Sequence, residues 1–79
     1  MHTLVFNTTE KTVKVLDGPV GDSKIISNFG SVPTVKVDDR GYYEVLQELP
    51  EVGRLPVARL PIANTVMFIE KWQKKIIST

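Results

Sequence analysis

Two arginines, Arg54 and Arg59, have the sequence setting that most suggests binding chemistry. Both flank prolines in the segment 49–61, and a guanidinium can hold a carboxylate or phosphate through two parallel hydrogen bonds. Arg59 has the strand parity of Leu55 and Val57, which places it at the edge of the core or over a rim. The alternative is a surface arginine whose aliphatic stem covers apolar area. Both arginines are candidate binding residues under the first interpretation.

A second group of candidates surrounds a predicted hairpin tip. Arg40, Tyr42 and Tyr43 would present basic and aromatic side chains together, a combination that stacks bases and contacts phosphates. The net charge is only +1, whereas phosphate-binding domains are usually clearly basic. Tyr42 and Tyr43 have opposite strand parity, so one of them is expected at the surface, where tyrosine is a good interface anchor. Nucleic-acid binding is therefore not favoured, but Arg40 and Tyr42 remain candidate binding residues.

Catalytic and metal-binding chemistry is poorly represented. The chain has no cysteine and one histidine, His2, beside the first methionine. A nucleophile with an adjacent base therefore cannot be nominated. The adjacent carboxylates Asp38 and Asp39 fall short of the 6–8 oxygen ligands that calcium takes, and their setting is typical of a turn. The sequence predicts no catalytic residue, no metal site and no cofactor, and it favours a protein that is not an enzyme.

Composition and charge indicate one small domain with a distinct C-terminal end. The 79 residues are 42% hydrophobic and 24% charged, ordinary values for a globular domain. Residues 1–70 carry seven Lys/Arg and nine Asp/Glu, a net charge of −2, whereas residues 71–79 carry three lysines and no acid. We expect a β-rich domain over 1–70 and a basic tail over 71–79, which forms one helical turn or continues the last strand. The sequence has neither an apolar run of membrane-spanning length nor a signal peptide pattern, which favours a cytoplasmic protein without membrane contact.

The hydrophobic pattern predicts short β-strands. Thr12-Val13-Lys14-Val15-Leu16 and Thr34-Val35-Lys36-Val37 alternate apolar and polar residues with a period of two, the pattern of half-buried strands. Turn residues separate such segments at regular intervals, and Gly41 is placed to take a left-handed conformation in a hairpin turn. The predicted fold is all-β, a small barrel or sandwich of five to seven short antiparallel strands.

The predicted core combines the apolar residues of these strands. The last segment, Thr65 to Trp72, is apolar on both faces, which suits a central strand or a strand that crosses between two sheets. The residues expected to dominate the core are Leu4, Phe6, Val13, Val15, Val35, Val37, Val45, Leu55, Val57, Val66, Phe68 and Ile69.

Two segments of the chain resemble a class of small uncharacterised phage and prophage proteins. These segments are Phe6-Asn7-Thr8-Thr9-Glu10-Lys11-Thr12-Val13-Lys14-Val15 and Leu55-Pro56-Val57-Ala58-Arg59, about a quarter of the chain. Members of that class begin with a strand, a polar turn and a valine-rich strand. The resemblance implies an accessory viral protein and supplies no functional residues.

These observations favour a non-enzymatic binding protein, a phage-encoded inhibitor that occupies a host defence or transcription protein. The first alternative is a protein that sequesters a small anionic ligand of the nucleotide type, with Arg54, Arg59 and Tyr42 lining a pocket between subunits. The second is a structural or assembly component of a virion. The apolar last strand also predicts a homodimer that uses residues 64–72, with Trp72 at or near the contact.

Overall fold

A computed structural model describes residues 1–21 and 23–70 of the chain. The predicted tail 71–79, with the candidate residue Trp72, lies outside the described residues. The described residues form seven strands and one 3-10 turn: β1 (His2–Asn7), β2 (Thr12–Leu16), β3 (Ile25–Phe29), β4 (Thr34–Val37), β5 (Tyr42–Leu49), β6 (Gly53–Pro61), the 3-10 turn (Ile62–Asn64) and β7 (Thr65–Glu70).

The strands form two sheets packed as a sandwich. The first sheet has the order β3-β2-β1-β7 and the second has the order β4-β5-β6. Neighbouring strands are antiparallel except β1 and β7, which are parallel, with Leu4 opposite Met67 and Phe6 opposite Ile69. The predicted all-β class is confirmed at seven strands, and the sheets form a sandwich rather than a closed barrel.

The first hairpin shows how local polar chemistry sets the strands. β1 and β2 pair with Leu4 opposite Val15 and Phe6 opposite Val13, so alternate valines, leucine and phenylalanine share one face. The Asn7 side-chain Oδ1 accepts hydrogen bonds from the backbone N–H groups of Thr9 (3.0 Å) and Glu10 (2.8 Å). An asparagine in this role stabilises a tight turn. The turn thereby fixes the register that directs the apolar side chains toward the second sheet.

A shift of register interrupts the pairing of β5 with β6 in the second sheet. Val45 pairs with Ala58, whereas Leu46 pairs with Pro56, so the register skips Val57. An extra residue of this kind re-aims the side chains on either side of it. Val45 and Leu46 of β5, the residues on either side of this shift, are both buried.

The core lies between the centres of the two sheets. Its fully buried or nearly buried members are Leu4, Phe6, Val13, Val15, Val32 and Val45, and Val35, Val57 and Met67 are among the half-buried residues that pack against them. Val32 was not predicted because it precedes β4 rather than belonging to a strand. Its backbone N–H donates to the Lys11 carbonyl at 2.8 Å, which fixes this connecting segment against the β1–β2 turn.

Five residues predicted for the core are instead exposed. Val37, Leu55, Val66, Phe68 and Ile69 expose between 41% and 63% of their surface. The expectation that the last segment forms a central strand was also wrong. Among the described residues β7 pairs only with β1 and lies at an edge of the first sheet. Alternation identifies the two faces of a strand, but it does not show which face another sheet covers.

The single helical element in residues 1–21 and 23–70 is the three-residue 3-10 turn. Within these ranges, therefore, no helix is long and apolar enough to cross a membrane.

The difference between buried and exposed apolar residues predicts different mutational costs. We expect Leu4→Ala to lower the free energy of unfolding by about 2–5 kcal/mol, because it leaves a cavity in the centre of the core. Val37→Ala, at an exposed position, should change it by about 0.5 kcal/mol or less. Urea unfolding followed by circular dichroism measures both. Equal losses in the two variants would contradict this core.

Candidate functional site

The tip of the β4–β5 hairpin brings together several of the predicted binding residues. The backbone N–H of Asp38 donates to the Tyr42 carbonyl at 2.9 Å, which closes the turn. Gly41 has a φ of 90°, the left-handed region predicted for it from the sequence. The Gly41 carbonyl accepts a 3.0 Å hydrogen bond from the backbone N–H of Ile62, so the tip is also tied to the segment that follows β6.

The Asp38 carboxylate organises this tip. Its Oδ1 accepts hydrogen bonds from the backbone N–H groups of Arg40 at 2.9 Å and Tyr42 at 3.0 Å. Its Oδ2 accepts a 2.7 Å hydrogen bond from Nη2 of Arg59 on β6. One carboxylate thus stabilises the turn and attaches it to the neighbouring strand. We call Asp38, Tyr42 and Arg59 the tip cluster.

Arg59 has an aromatic ring on one side and carboxylates nearby. The Cζ atom of its guanidinium lies 4.4 Å from the centroid of the Tyr42 ring, a cation–π distance. Glu44 lies opposite Arg59 in the β5–β6 register. The Arg59 side chain is 45% exposed and that of Asp38 is 21% exposed. The guanidinium is therefore held at a partly open surface between an aromatic face and negative charge.

The charges of the tip cluster stabilise one another. The hydrogen bond from Arg59 is the largest cause that lowers the pKa of the Asp38 carboxyl. Partial desolvation opposes it, and the N–H groups of Arg40 and Tyr42 lower the pKa further. The same hydrogen bond raises the pKa of Arg59. An anionic ligand at Arg59 would have to compete with a carboxylate that is already bound there.

The structure separates the second predicted arginine from the tip cluster. Arg54 lies at the other end of β6, opposite Glu48 of β5, with its Nε 3.9 Å from Glu48 Oε1 and both side chains more than half exposed. Arg54 and Arg59 are five positions apart along the extended strand β6, a distance of about 17 Å. Within one subunit the two arginines therefore do not face a common small ligand. Sequence reasoning placed Asp38 in a turn but did not identify its contact with Arg59, which depends on the register between β5 and β6.

A different surface feature lies on the outer face of the first sheet, which faces away from the second sheet. A groove of about 240 Å³ runs across it, and its apolar lining is Val5, Leu16, Val20, Ile25 and Phe68. We call these five residues the outer groove. Val20, Ile25 and Phe68 are exposed, whereas Leu16 is buried at its base. Lys14, Ser23 and Glu70 supply polar groups at its borders.

The loop between β2 and β3 forms one wall of this groove. The Thr3 hydroxyl donates to the Gly18 carbonyl at 2.6 Å, and the Ser23 hydroxyl donates to the Pro19 carbonyl at 2.6 Å. The backbone N–H of Asp17 donates to the Lys24 carbonyl at 3.0 Å, which closes the base of the loop. These hydrogen bonds hold Val20 above the sheet. Sequence reasoning missed this residue because glycine and proline around it indicate a connection, not a surface.

A second, more polar hollow of about 180 Å³ adjoins the outer groove. Both are lined by Val5, Lys14 and Glu70, and Asn7, Glu10, Thr12 and Asn28 complete the second one. Within residues 1–21 and 23–70 no three His, Asp or Glu side chains are grouped as a metal ion would require. The arrangement is suited to contact with a partner that has both apolar and polar groups.

Comparison with known proteins finds no matching family model, no matching curated protein and no matching solved structure.

The tip cluster predicts a specific pH dependence of stability. Because the pKa of Asp38 is lowered in the folded state, its stabilising contribution is present above the ordinary value of 3.8 and is lost as the pH falls through the lowered value. Asp38→Asn keeps an oxygen for the turn but removes the charge that faces Arg59. We expect this variant to melt at a lower temperature than the unsubstituted protein at pH 7. The difference should shrink on acidification to about pH 2.

The matched control for this experiment is Asp39→Asn in the same turn, since the three hydrogen bonds are accepted by Asp38. Thermal unfolding of the three proteins between about pH 2 and pH 7 makes the comparison. A constant difference between Asp38→Asn and the unsubstituted protein across this range would contradict the charge pairing.

The conformation of the hairpin turn predicts that alanine substitutions at two glycines have different effects on stability. Gly41→Ala should destabilise the protein by about 1–2 kcal/mol, since alanine is strained at a φ of 90°. At Gly30 an added Cβ meets open space and the backbone φ is not in the left-handed region, so Gly30→Ala should be neutral or slightly stabilising. Urea unfolding measures both variants. Equal behaviour would show that the tip does not require the left-handed conformation.

Proposed function

We propose that the protein is a non-enzymatic protein-binding domain that recognises its partner through the outer groove. The observation that carries the proposal is the exposure of Val20, Ile25 and Phe68 around one groove on one face of the first sheet. Exposed apolar side chains that are grouped and bordered by polar ones are typical of interaction sites. Single exposed hydrophobic residues are common and would carry no such meaning.

The energetics of a small domain strengthen this interpretation. Burial of apolar surface stabilises a folded chain or a complex by about 25 cal/mol per Å². A 79-residue chain has few apolar residues to bury, yet three large ones line this groove without being covered by the second sheet. A partner that covers them gains this free energy on binding.

The polar border of the groove indicates the chemistry of the partner. Lys14 and Glu70 line the groove together with the apolar residues, an arrangement that resembles an apolar interface centre with a polar rim. A partner that inserts an apolar side chain and carries both a positive and a negative group beside it would complement the outer groove. The charges at the rim would set the orientation and association rate more than the affinity.

The resemblance to phage accessory proteins supports a host protein as this partner. In this proposal the domain acts in the host cytoplasm and inhibits a defence or transcription protein by covering a functional surface. Inhibition by occupation requires neither a catalytic residue nor a cofactor. A standard interface of about 800 Å² per partner is within the reach of one face of the sandwich.

Two alternatives remain as competing proposals. The stacked Tyr42 and Arg59 favour a small anionic ligand of the nucleotide type, which a second subunit would have to help enclose. The hydrogen bond between Asp38 and Arg59 argues against this ligand, because an anion that binds Arg59 would have to displace the Asp38 carboxylate. A structural or assembly component of a virion would use the outer groove against other virion proteins.

The test uses variants of the groove wall in a capture experiment. The tagged protein captures partners from a bacterial lysate, and the captured protein is identified, purified and titrated by calorimetry. We expect the double variant Val20→Asp with Ile25→Asp to bind that partner at least roughly tenfold more weakly, because it places charge in the apolar centre of the interface. Val52→Asp, at an exposed position in the β5–β6 turn, is the matched control and should bind normally.

Two outcomes would contradict the proposal. The first is a purified partner that binds the double variant as tightly as the control. The second is the absence of a captured protein together with a rise in melting temperature on addition of a nucleotide, which would favour the anionic-ligand alternative.

A further inference from the structure

In residues 1–21 and 23–70, no strand pairs with the edge of β7 that faces away from β1, and this edge carries backbone groups positioned for pairing with another strand. The carbonyl of Glu70 accepts a 3.2 Å hydrogen bond from the backbone N–H of Thr8, so the peptide groups of Glu70 point toward β1. Along a strand these directions alternate from one residue to the next. The peptide groups of Met67 and Ile69 therefore point away from β1, toward the open edge.

The other three sheet edges in the described residues carry features that oppose such pairing. β4 has only four residues, with Lys36 among them, and β6 contains Pro56 and Pro61. β3 pairs with β2 through a shift of register beside Leu16. Short length, lysine, proline and irregular pairing are the means by which sheet edges avoid association. β7 has none of these features over Thr65–Glu70 and exposes Val66, Phe68 and Ile69.

We infer that β7 pairs with β7 of a second copy of this chain, antiparallel and centred on Met67. The two copies then form one continuous eight-stranded sheet with a two-fold axis perpendicular to it. Met67 pairs with its own counterpart at the axis, and the N–H of Ile69 donates to the carbonyl of Thr65 of the partner subunit. The N–H of Thr65 already donates to the Ile62 carbonyl of its own chain, so it needs no acceptor in the partner subunit.

This register is selected by the side chains on the outer face. It places Val66 opposite Phe68 of the partner subunit, and an aromatic residue opposite a β-branched residue is a favourable cross-strand pair. A register centred on Phe68 would instead place Val66 opposite a charged Glu70. In the Met67 register the two Glu70 residues are about 20 Å apart along the strands, beyond the screening distance of roughly 8 Å at physiological salt.

The pairing also extends the proposed function, although it does not depend on it. A two-fold axis perpendicular to the sheet leaves both outer faces on the same side of the dimer. The two outer grooves, each containing Phe68, would then flank the axis and present one surface. A strand edge alone buries less area than a standard interface, so we expect dissociation in the micromolar range.

The absence of cysteine from the chain allows a direct test of the register. Val66→Cys and Phe68→Cys variants of the full chain, one of them enlarged by a tag, are oxidised separately and as a mixture. In the proposed register the two positions face each other at about 4.5 Å between Cα atoms, within disulfide range. The mixture should form the mixed disulfide in high yield. Each variant alone should cross-link poorly, since like positions are roughly 8 Å apart.

Every other result of this experiment overturns the inference. Self-cross-linking of Phe68→Cys would indicate a register centred on Phe68, and self-cross-linking of Val66→Cys a register centred on Val66. Absence of cross-linking together with a monomeric mass by light scattering at hundreds of micromolar would exclude the dimer. If the monomer also protects the Met67 and Ile69 amides from hydrogen exchange, another part of the same chain covers the edge.

A pair of variants at Ile69 tests the role of the backbone hydrogen bond. Ile69→Pro removes the outward N–H without removing a donor to β1, whereas Ile69→Ala keeps that N–H and removes most of the side chain. We expect Ile69→Pro to dimerise at least roughly tenfold more weakly than Ile69→Ala, with an unchanged circular dichroism spectrum. Equal dimerisation of the two variants would contradict the pairing through the β7 edge. If the Val20→Asp/Ile25→Asp variant loses partner binding but still forms the dimer, the groove and the β7 edge act independently, and one proposal can fail without the other.

Discussion

The sandwich depends on the burial of Val32 between its two sheets. Val32 is fully buried in the segment that crosses from β3 to β4, and its N–H donates to the Lys11 carbonyl at 2.8 Å. One residue earlier, the Ser31 carbonyl accepts a 2.8 Å hydrogen bond from Glu48 of β5. The crossing is thus bonded to both sheets within two residues. Ser31 and Lys11 have φ values of 54° and 57°, a left-handed conformation that costs about 1–2 kcal/mol for each such residue. The burial of Val32 and the two hydrogen bonds offset that cost.

The unequal sizes of the two sheets and the path of the β2–β3 loop determine which of the described apolar residues remain uncovered. The core lies over β1, β2 and β5, and three strands of the second sheet face four of the first. At the margins of the sandwich, Ile69 on β7 and Val37 on β4 are therefore exposed even though each has the alternation of a core residue. Among the residues that the structure describes, the β2–β3 loop lies over the outer face of the first sheet, where Leu16 is buried and Phe68 is exposed. The apolar surface follows from the unequal sheets and the path of one loop.

The difference between local and long-range interactions explains how far the sequence could predict the structure. The period of two and the turn residues were sufficient for the strands and for the conformation of Gly41, because both are local properties. The parallel pairing of β1 with β7 joins the two ends of the described chain, and no local pattern specifies it. The register shift between β5 and β6, which skips Val57, likewise depends on the pairing of two strands and not on a local pattern. Tyr42 and Arg59 were predicted as binding residues from the sequence, whereas the contact of Arg59 with Asp38 depends on the same long-range register.

The two surfaces of the molecule differ in how completely their interactions are satisfied. At the tip cluster each charge has a counterpart, since Asp38 accepts from Arg59 and from two backbone N–H groups while Tyr42 covers the guanidinium. Such a cluster stabilises a turn and gains little by binding an ion. In the outer groove and along β7, apolar side chains remain exposed to water, and along β7 the outward peptide groups of Met67 and Ile69 are directed away from β1. Val66, Phe68 and Ile69 are residues that the alternation assigned to the core, whereas Val20 and Ile25 of the outer groove were not among them, so this exposed apolar surface becomes visible only when the strand pairing and the path of the β2–β3 loop are known.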